Sequence, residues 1–90
     1  MRKFPLRLFV AGRIETRGII EREGFFPRVD CYESPEIALR FHTKPCDMYE
    51  IYTNRLVRKK MSIAEHPFGK LYSYHEHIPK DKIRFRITYR

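Results

Sequence analysis

The stretch GFFPRVDCYESPEIALRF, Gly24–Phe41, contains the clearest local signals in the chain and is the starting point for its fold. Arg28–Tyr32 is typical of a short strand that places Val29 and Cys31 on one side. Ser34 precedes a proline, and this pair indicates a helix start, because the hydroxyl accepts an orphan backbone N–H and proline has none to satisfy. The apolar stripe of the predicted helix consists of Ile37, Ala38 and Phe41. A strand that runs into a helix is therefore the first predicted unit.

Composition predicts one folded domain with an anionic partner. The 90 residues are 42% hydrophobic and 14% aromatic, which is enough to build a modest core, so we expect a single domain spanning 1–90. Nineteen Lys and Arg residues against 11 Asp and Glu residues give a net charge of +8. A surplus of this size suits a nucleic acid, an acidic protein surface or an anionic membrane.

The apolar runs and the cysteines indicate the cellular environment of the protein. The longest apolar run, Leu8–Ala11, is far below the length that spans a membrane, so we expect a cytoplasmic, intracellular protein. Cys31 and Cys46 have no metal-site spacing, and two lone cysteines in an intracellular chain are typically reduced and partly buried.

Four segments alternate or are rich in β-forming residues, and they predict strands: Lys3–Ala11, Asp47–Thr53, Lys70–His77 and Lys82–Arg90. We expect the last two of these strands to form a C-terminal β-hairpin across the turn at Pro79–Lys82. With one to three short helices, the predicted class is α+β with a mostly antiparallel sheet.

Two segments leave alternatives open. Glu15–Glu23 permits a short helix that Gly24 ends, and the rival is a strand from Gly18. Residues 54–65 permit a helix capped by Asn54 or a continuation of the preceding strand. The predicted strands and helix would share one core formed by Phe4, Leu6, Leu8, Ile37, Phe41, Ile51, Ile83, Phe85 and Ile87.

A basic sheet face is the first candidate for function. In the last strand, Arg84, Arg86 and Arg90 alternate with apolar residues, and arginine side chains at this spacing can follow successive phosphates. If the first strand lies beside it, Arg7 and Phe9 extend the face and add a ring for base stacking. A second basic cluster consists of Arg55, Arg58, Lys59 and Lys60.

The histidine-rich segment YSYHEHIP is the second candidate. Imidazole titrates near neutrality, so His75 or His77 could serve acid–base chemistry on RNA beside cationic side chains. Two histidines at this spacing supply two metal ligands, and a site needs a third, which the sequence does not indicate. We therefore predict no metal site.

The order LFVAG, IIEREGFFP, CYESPEIALRF, MYEIY and HEHIPKDKI resembles the skeleton of the ADP-ribosyltransferase-like fold. This resemblance implies a catalytic glutamate late in the chain, for which Glu76 fits, with His75 beside it. It also implies an NAD cofactor. Many members of that superfamily carry a histidine in the first strand where this chain has Val10-Ala11-Gly12, so the resemblance predicts the fold more directly than the cofactor.

The leading functional hypothesis is a small protein that binds nucleic acid, RNA or single strands in particular, through the cationic sheet face and without a cofactor. A sheet with exposed rings suits base stacking, and no helix-turn-helix or zinc-finger pattern is present. One alternative is an enzyme, either a minimal or degenerate ADP-ribosyltransferase-like protein or a metal-independent ribonuclease. The other alternative is a regulatory protein that binds an acidic surface of a host protein.

Overall fold

Two antiparallel three-stranded sheets and two short helices make up the fold in the computed structural model, which describes residues 5–90. The strands are β1 (Arg7–Gly12), β2 (Val29–Cys31), β3 (Cys46–Tyr52), β4 (Met61–Ala64), β5 (Leu71–Tyr74) and β6 (Ile83–Tyr89). The helices are α1 (Arg17–Glu23) and α2 (Pro35–Phe41). The predicted α+β class with antiparallel pairing is confirmed.

Each sheet has its strands in non-sequential order. In the first sheet β3 lies between β1 and β6, and in the second β5 lies between β2 and β4. A single bridge between Phe9 and Tyr32 joins the two sheets, with N···O distances of 2.7 and 2.8 Å. The central strand β3 is buried along almost its whole length, from Cys46 to Ile51.

The predicted C-terminal β-hairpin is wrong, because β5 and β6 belong to different sheets. After β5 the chain forms one bridge from Ile78 to Phe25 and a 3-10 turn at Lys80–Lys82, which direct it to the first sheet. There β6 pairs with β3 and provides hydrogen-bond partners for the backbone N–H and C=O groups along that edge of the buried strand. A short connection favours pairing of β5 with β6, but the buried strand β3 needs a neighbour on each side, and β6 is the second of these neighbours.

The local signals at both helix boundaries are confirmed. The N–H of Gly24 bonds to the carbonyl of Ile20 at 2.9 Å and ends α1. Gly24 has φ +83°, and a Cβ there would lie 2.0 Å from the carbonyl oxygen of Ile78, so only glycine fits. The Ser34 hydroxyl accepts the N–H of Ile37 at 3.2 Å, and Pro35 is the first residue of α2.

The two ambiguous segments have definite structures. Residues 17–23 form the helix and not the rival strand from Gly18. Residues 54–65 form neither alternative: 3-10 turns at Thr53–Arg55 and Arg58–Lys60 lead into β4, which pairs with β5.

The core is divided into two clusters, one between the sheets and one under α2, and the prediction of a single core is wrong. Leu8 and Ile51 are fully buried as predicted, whereas Leu6, Phe85 and Ile87 are 67%, 45% and 50% exposed. Phe85 is exposed because β6 is an edge strand with a neighbouring strand on one side only, whereas Ile87 is turned to the opposite face of the sheet by a change of register in β6. Predicted core residue Phe4 lies outside the described residues.

A β-bulge corrects the predicted alternation of β6. Arg84 pairs with Glu50 and Phe85 with Tyr49, but the register shifts there and Ile87 pairs with Met48. Because Met48 and Glu50 point to the same face of β3, Ile87 lies on the same face as Arg84. The second half of β6 thus mixes apolar and cationic side chains on one face.

Both cysteines are free thiols, and both are buried more completely than the partial burial that the sequence indicated. Burial raises the pKa of Cys31 to about 12. Within residues 5–90 neither helix has the length or apolar character to cross a membrane.

Candidate functional site: a cleft beside Glu50

A cleft of about 410 Å³ opens on the outer face of the first sheet, next to the start of α2. Its floor comes from all three strands of the sheet, and Pro35 forms part of its wall. We name it the Glu50 cleft. It is lined by Arg7, Phe9, Pro35, Met48, Glu50, Arg86, Ile87 and Tyr89.

Glu50 occupies the centre of this face. It lies on β3 between Phe9 of β1 and Arg84 of β6, and it is 1% exposed. Nη1 of Arg7 donates a hydrogen bond to its Oε2 at 3.0 Å. Nη1 of Arg86 is 4.0 Å from its Oε1, beyond hydrogen-bond distance. The Oε1 atom is buried and has no hydrogen-bond partner among the described residues.

A smaller hollow of about 190 Å³ adjoins the cleft, and Glu50 lines both. Arg55 comes from the turn after β3, and its guanidinium donates to the backbone carbonyl of Asp81 at 3.2 Å. Lys82 comes from the 3-10 turn before β6, and Arg84 comes from the start of β6. Cleft and hollow together are lined by five cationic and two acidic side chains, so the face attracts anions.

Three rings lie among these charges, one of which is Tyr52 of β3 in the hollow. Phe9 on β1 and Tyr89 on β6 both line the cleft and are partly exposed. The ammonium of Lys44 lies 5.9 Å from the centroid of the Tyr89 ring. The bulge of β6 is the reason that Tyr89 lies on this face, and strict alternation would have placed it on the opposite one.

The structure brings together the larger part of the predicted cationic face, with one change in its geometry. Arg7, Phe9 and Arg86 line the cleft, and Arg84 and Arg55 line the adjoining hollow. β1 does not lie beside β6, because β3 separates them, so Arg7 and Phe9 join this face from across β3. Arg90 is exposed just after β6 ends.

The second basic cluster is divided. Arg55 belongs to the hollow, whereas Arg58, Lys59 and Lys60 form the exposed 3-10 turn before β4. The ammonium of Lys60 lies 3.3 Å from Oε1 of Glu76. The cluster therefore does not form one continuous cationic surface.

The predicted catalytic residues do not line the cleft. His75 and Glu76 follow β5 and are exposed, and Nε2 of His75 is 2.9 Å from Oγ of Ser62 on β4. His77 packs on the ring of Phe26, with a centroid distance of 4.7 Å, and contacts the carbonyl of Glu23. The structure gives these three side chains no shared site.

No group of three His, Cys, Asp or Glu side chains within residues 5–90 is placed to hold a metal ion. Nε2 of His42 lies 3.2 Å from the Tyr32 hydroxyl. Burial lowers the pKa of His42 and raises that of Tyr32 to about 12.

The inner face of the same sheet carries a different carboxylate. Asp47 is fully buried and receives Nε and Nη2 of Arg17 at 2.8 and 2.6 Å and the Thr88 hydroxyl at 2.6 Å. Hydrogen bonding to Arg17 is the main reason that the pKa of Asp47 lies below its usual range. The guanidinium also lies 5.1 Å from the ring centroid of Phe85.

Glu50 was not among the site residues predicted from the sequence. The available signal was its position in MYEIY, where a charged residue stands in the middle of a strand with apolar residues on both sides. A carboxylate in a central strand is seldom buried unless it is paired or used. No protein-family model matches the chain, and the search of curated proteins found no match.

Proposed function

We propose that the protein binds single-stranded nucleic acid through the Glu50 cleft and the adjoining hollow. The observation that carries this proposal is the convergence of five cationic side chains on one face that also presents three aromatic rings. The cationic side chains come from β1, from β6 and from the turns that follow β3 and precede β6. Arginine binds phosphate oxygens bidentately, and every base can stack on an aromatic ring.

The shape of the site favours a single strand over a duplex. The cleft has the volume of a small-ligand pocket and is bounded by α2 on one side, so it admits one backbone and its unstacked bases. The hollow with Arg84 and Arg55 would hold the phosphates next along the strand.

Salt dependence of binding tests the proposal. Arg84→Ala combined with Arg86→Ala should lower the slope of log affinity against log salt by about two, one for each lost phosphate contact. The free energy of unfolding should change little, because both side chains are exposed. Fluorescence anisotropy with a labelled oligonucleotide over a salt series measures the slope.

The matched control removes two positive charges away from the cleft. Arg22 on α1 and Lys59 in the turn before β4 are both exposed and line neither the cleft nor the hollow. If Arg22→Ala with Lys59→Ala weakens binding as much as the cleft variant, the attraction is general and the cleft is not a site. If the unmodified protein binds neither RNA nor DNA at low salt, the proposal fails, and an acidic protein surface becomes the partner to test.

A second candidate is an ADP-ribosyltransferase-like enzyme. What favours it is the order β1, α1, β2, α2, in which Gly24 follows α1 and Ser34 opens α2, as the resemblance implies. Its catalytic glutamate would be Glu76, an exposed residue paired with Lys60. Calorimetry with millimolar NAD tests binding, and the absence of heat would exclude this candidate. If NAD binds, an assay of NAD-dependent modification follows, and loss of that activity in Glu76→Gln would support the enzyme.

A further inference from the structure

One oxygen of Glu50 has unused hydrogen-bonding capacity inside the cleft. Oε2 is held by Arg7, but Oε1 is buried without a hydrogen bond among the described residues, and Arg86 remains 4.0 Å away. Buried polar atoms in folded proteins nearly always have a partner. Glu50 lines the cleft, but Oε1 itself is closed to solvent, so a ligand reaches it only when a neighbouring side chain shifts, and the half-exposed Arg86 lies beside it. The missing partner of Oε1 therefore indicates a group that the ligand supplies.

The charges around Oε1 restrict what that partner is. A cationic ligand group would be repelled by Arg7 and Arg86, and an anionic group placed directly on Oε1 would be repelled by the carboxylate. A neutral donor next to an anion satisfies both conditions. In the backbone of RNA the ribose 2′-hydroxyl is a neutral donor adjacent to a phosphate, and DNA lacks it.

We infer that Glu50 accepts a hydrogen bond from a ribose 2′-hydroxyl, while Arg7 and Arg86 hold the neighbouring phosphate, so that the cleft selects RNA over DNA. This inference rests on the proposed function and adds its substrate class. Glu50 supplies the discrimination, and the arginines supply affinity that RNA and DNA share.

Three oligonucleotides with the same base sequence test the inference on the unmodified protein. Uridine oligomers of about 12 residues, a length suited to one small domain, would carry 2′-hydroxyl, 2′-hydrogen or 2′-fluoro groups. Fluorine keeps the sugar conformation of RNA but donates no hydrogen bond. We expect the hydroxyl form to bind about tenfold more tightly than the other two, as for one hydrogen bond to a charged acceptor.

Glu50→Gln provides the matching change in the protein. Arg7 would hold the amide oxygen and leave the amide N–H facing the cleft, so the 2′-hydroxyl loses the charged acceptor for its proton and keeps at most a weaker neutral hydrogen bond, in which its oxygen accepts from the amide. We expect the ratio of hydroxyl to fluoro affinity to fall from about tenfold to about threefold or less, even if all affinities rise because a negative charge is removed. Glu21→Gln on α1 removes the same charge away from the cleft and should leave the ratio unchanged.

The outcomes separate the two proposals. Equal binding of all three oligonucleotides by the unmodified protein would overturn the role of Glu50 and leave single-strand binding intact. A preference for hydroxyl that Glu50→Gln leaves undiminished would also overturn it. If none of the three oligonucleotides binds, both the proposed function and the role of Glu50 are overturned. If circular dichroism shows that Glu50→Gln does not fold, the hydroxyl-to-fluoro ratio of the unmodified protein decides the question.

Discussion

Asp47 and Glu50 are three residues apart on β3, and both are buried, but they point to opposite faces of the first sheet and have different surroundings. On the inner face Asp47 receives two hydrogen bonds from Arg17 and one from Thr88. On the outer face Glu50 receives one bond from Arg7. One oxygen of Glu50 thus remains without a hydrogen bond among the described residues.

The difference between the two carboxylates separates a structural role from a binding role. A buried charge costs desolvation free energy that hydrogen bonds must offset, and Asp47 has that compensation within the fold. Glu50 has a compensating hydrogen bond from the described residues at only one of its two oxygens, and the other oxygen can accept a hydrogen bond from a ligand that enters the cleft. Stability measurements should therefore respond to Asp47, and binding measurements should respond to Glu50.

The largest expected effect is on the inner face. In Asp47→Asn one amide N–H would face the Nε–H of Arg17, so two donors would oppose each other in a buried position. We expect the free energy of unfolding to fall by on the order of 2–3 kcal/mol, as for lost hydrogen bonds to a charged group. Urea denaturation at pH 7 measures it. A loss below about 0.5 kcal/mol, the range of ordinary surface changes, would contradict a structural role for Asp47.

Acid pH should remove the difference in the free energy of unfolding between the unmodified protein and Asp47→Asn. Because the pKa of Asp47 is lowered in the folded protein, its stabilisation is complete above the unfolded value of about 3.9 and is lost as the pH falls through the folded pKa. The stability gap between the unmodified protein and Asp47→Asn should be constant from about pH 7 to pH 5 and narrow below about pH 4. Other titrating groups are common to both proteins and cancel in the difference. A gap that stays constant down to the acid-unfolding limit would exclude Asp47 as its source.

A smaller effect is expected at Phe85, on the inner face but at the edge of the sheet. Its ring contacts Tyr49, at a centroid distance of 5.7 Å, and the Arg17 guanidinium, yet nearly half of the side chain is exposed. Phe85→Ala should cost about 1–2 kcal/mol, well below the 3–5 kcal/mol of a fully buried phenylalanine. Thermal and urea unfolding measure this. A cost in the higher range would mean that Phe85 belongs to the core after all.

What the sequence predicted correctly depended on neighbouring residues. Gly24 and Ser34 mark helix boundaries through bonds that span four residues or fewer; the Ser34 boundary was predicted correctly, and the helix that Gly24 ends was one of two predicted alternatives. The alternation of β6 correctly placed Arg84 opposite Phe85, since both precede the bulge.

What the sequence did not reveal depends on distant partners. The pairing of β6 with β3 and not with β5, and the bulge that turns Tyr89 to the arginine face, both arise from contacts across the sheet. Glu50 acquires its importance only when β3 is inserted between Arg7 and Arg86. An alternation pattern describes one strand and contains no information about which strand lies beside it.

The smallest stability effect should come from Glu50 itself. Glu50→Gln weakens the hydrogen bond from Arg7, but it also removes a buried charge that has only one hydrogen bond among the described residues. These two terms oppose each other, so we expect the free energy of unfolding to change by less than about 1 kcal/mol in either direction. Urea denaturation beside Asp47→Asn makes the comparison under one set of conditions. If Glu50→Gln is as destabilising as Asp47→Asn, the two carboxylates have the same structural role, and the spare oxygen of Glu50 loses its significance for binding.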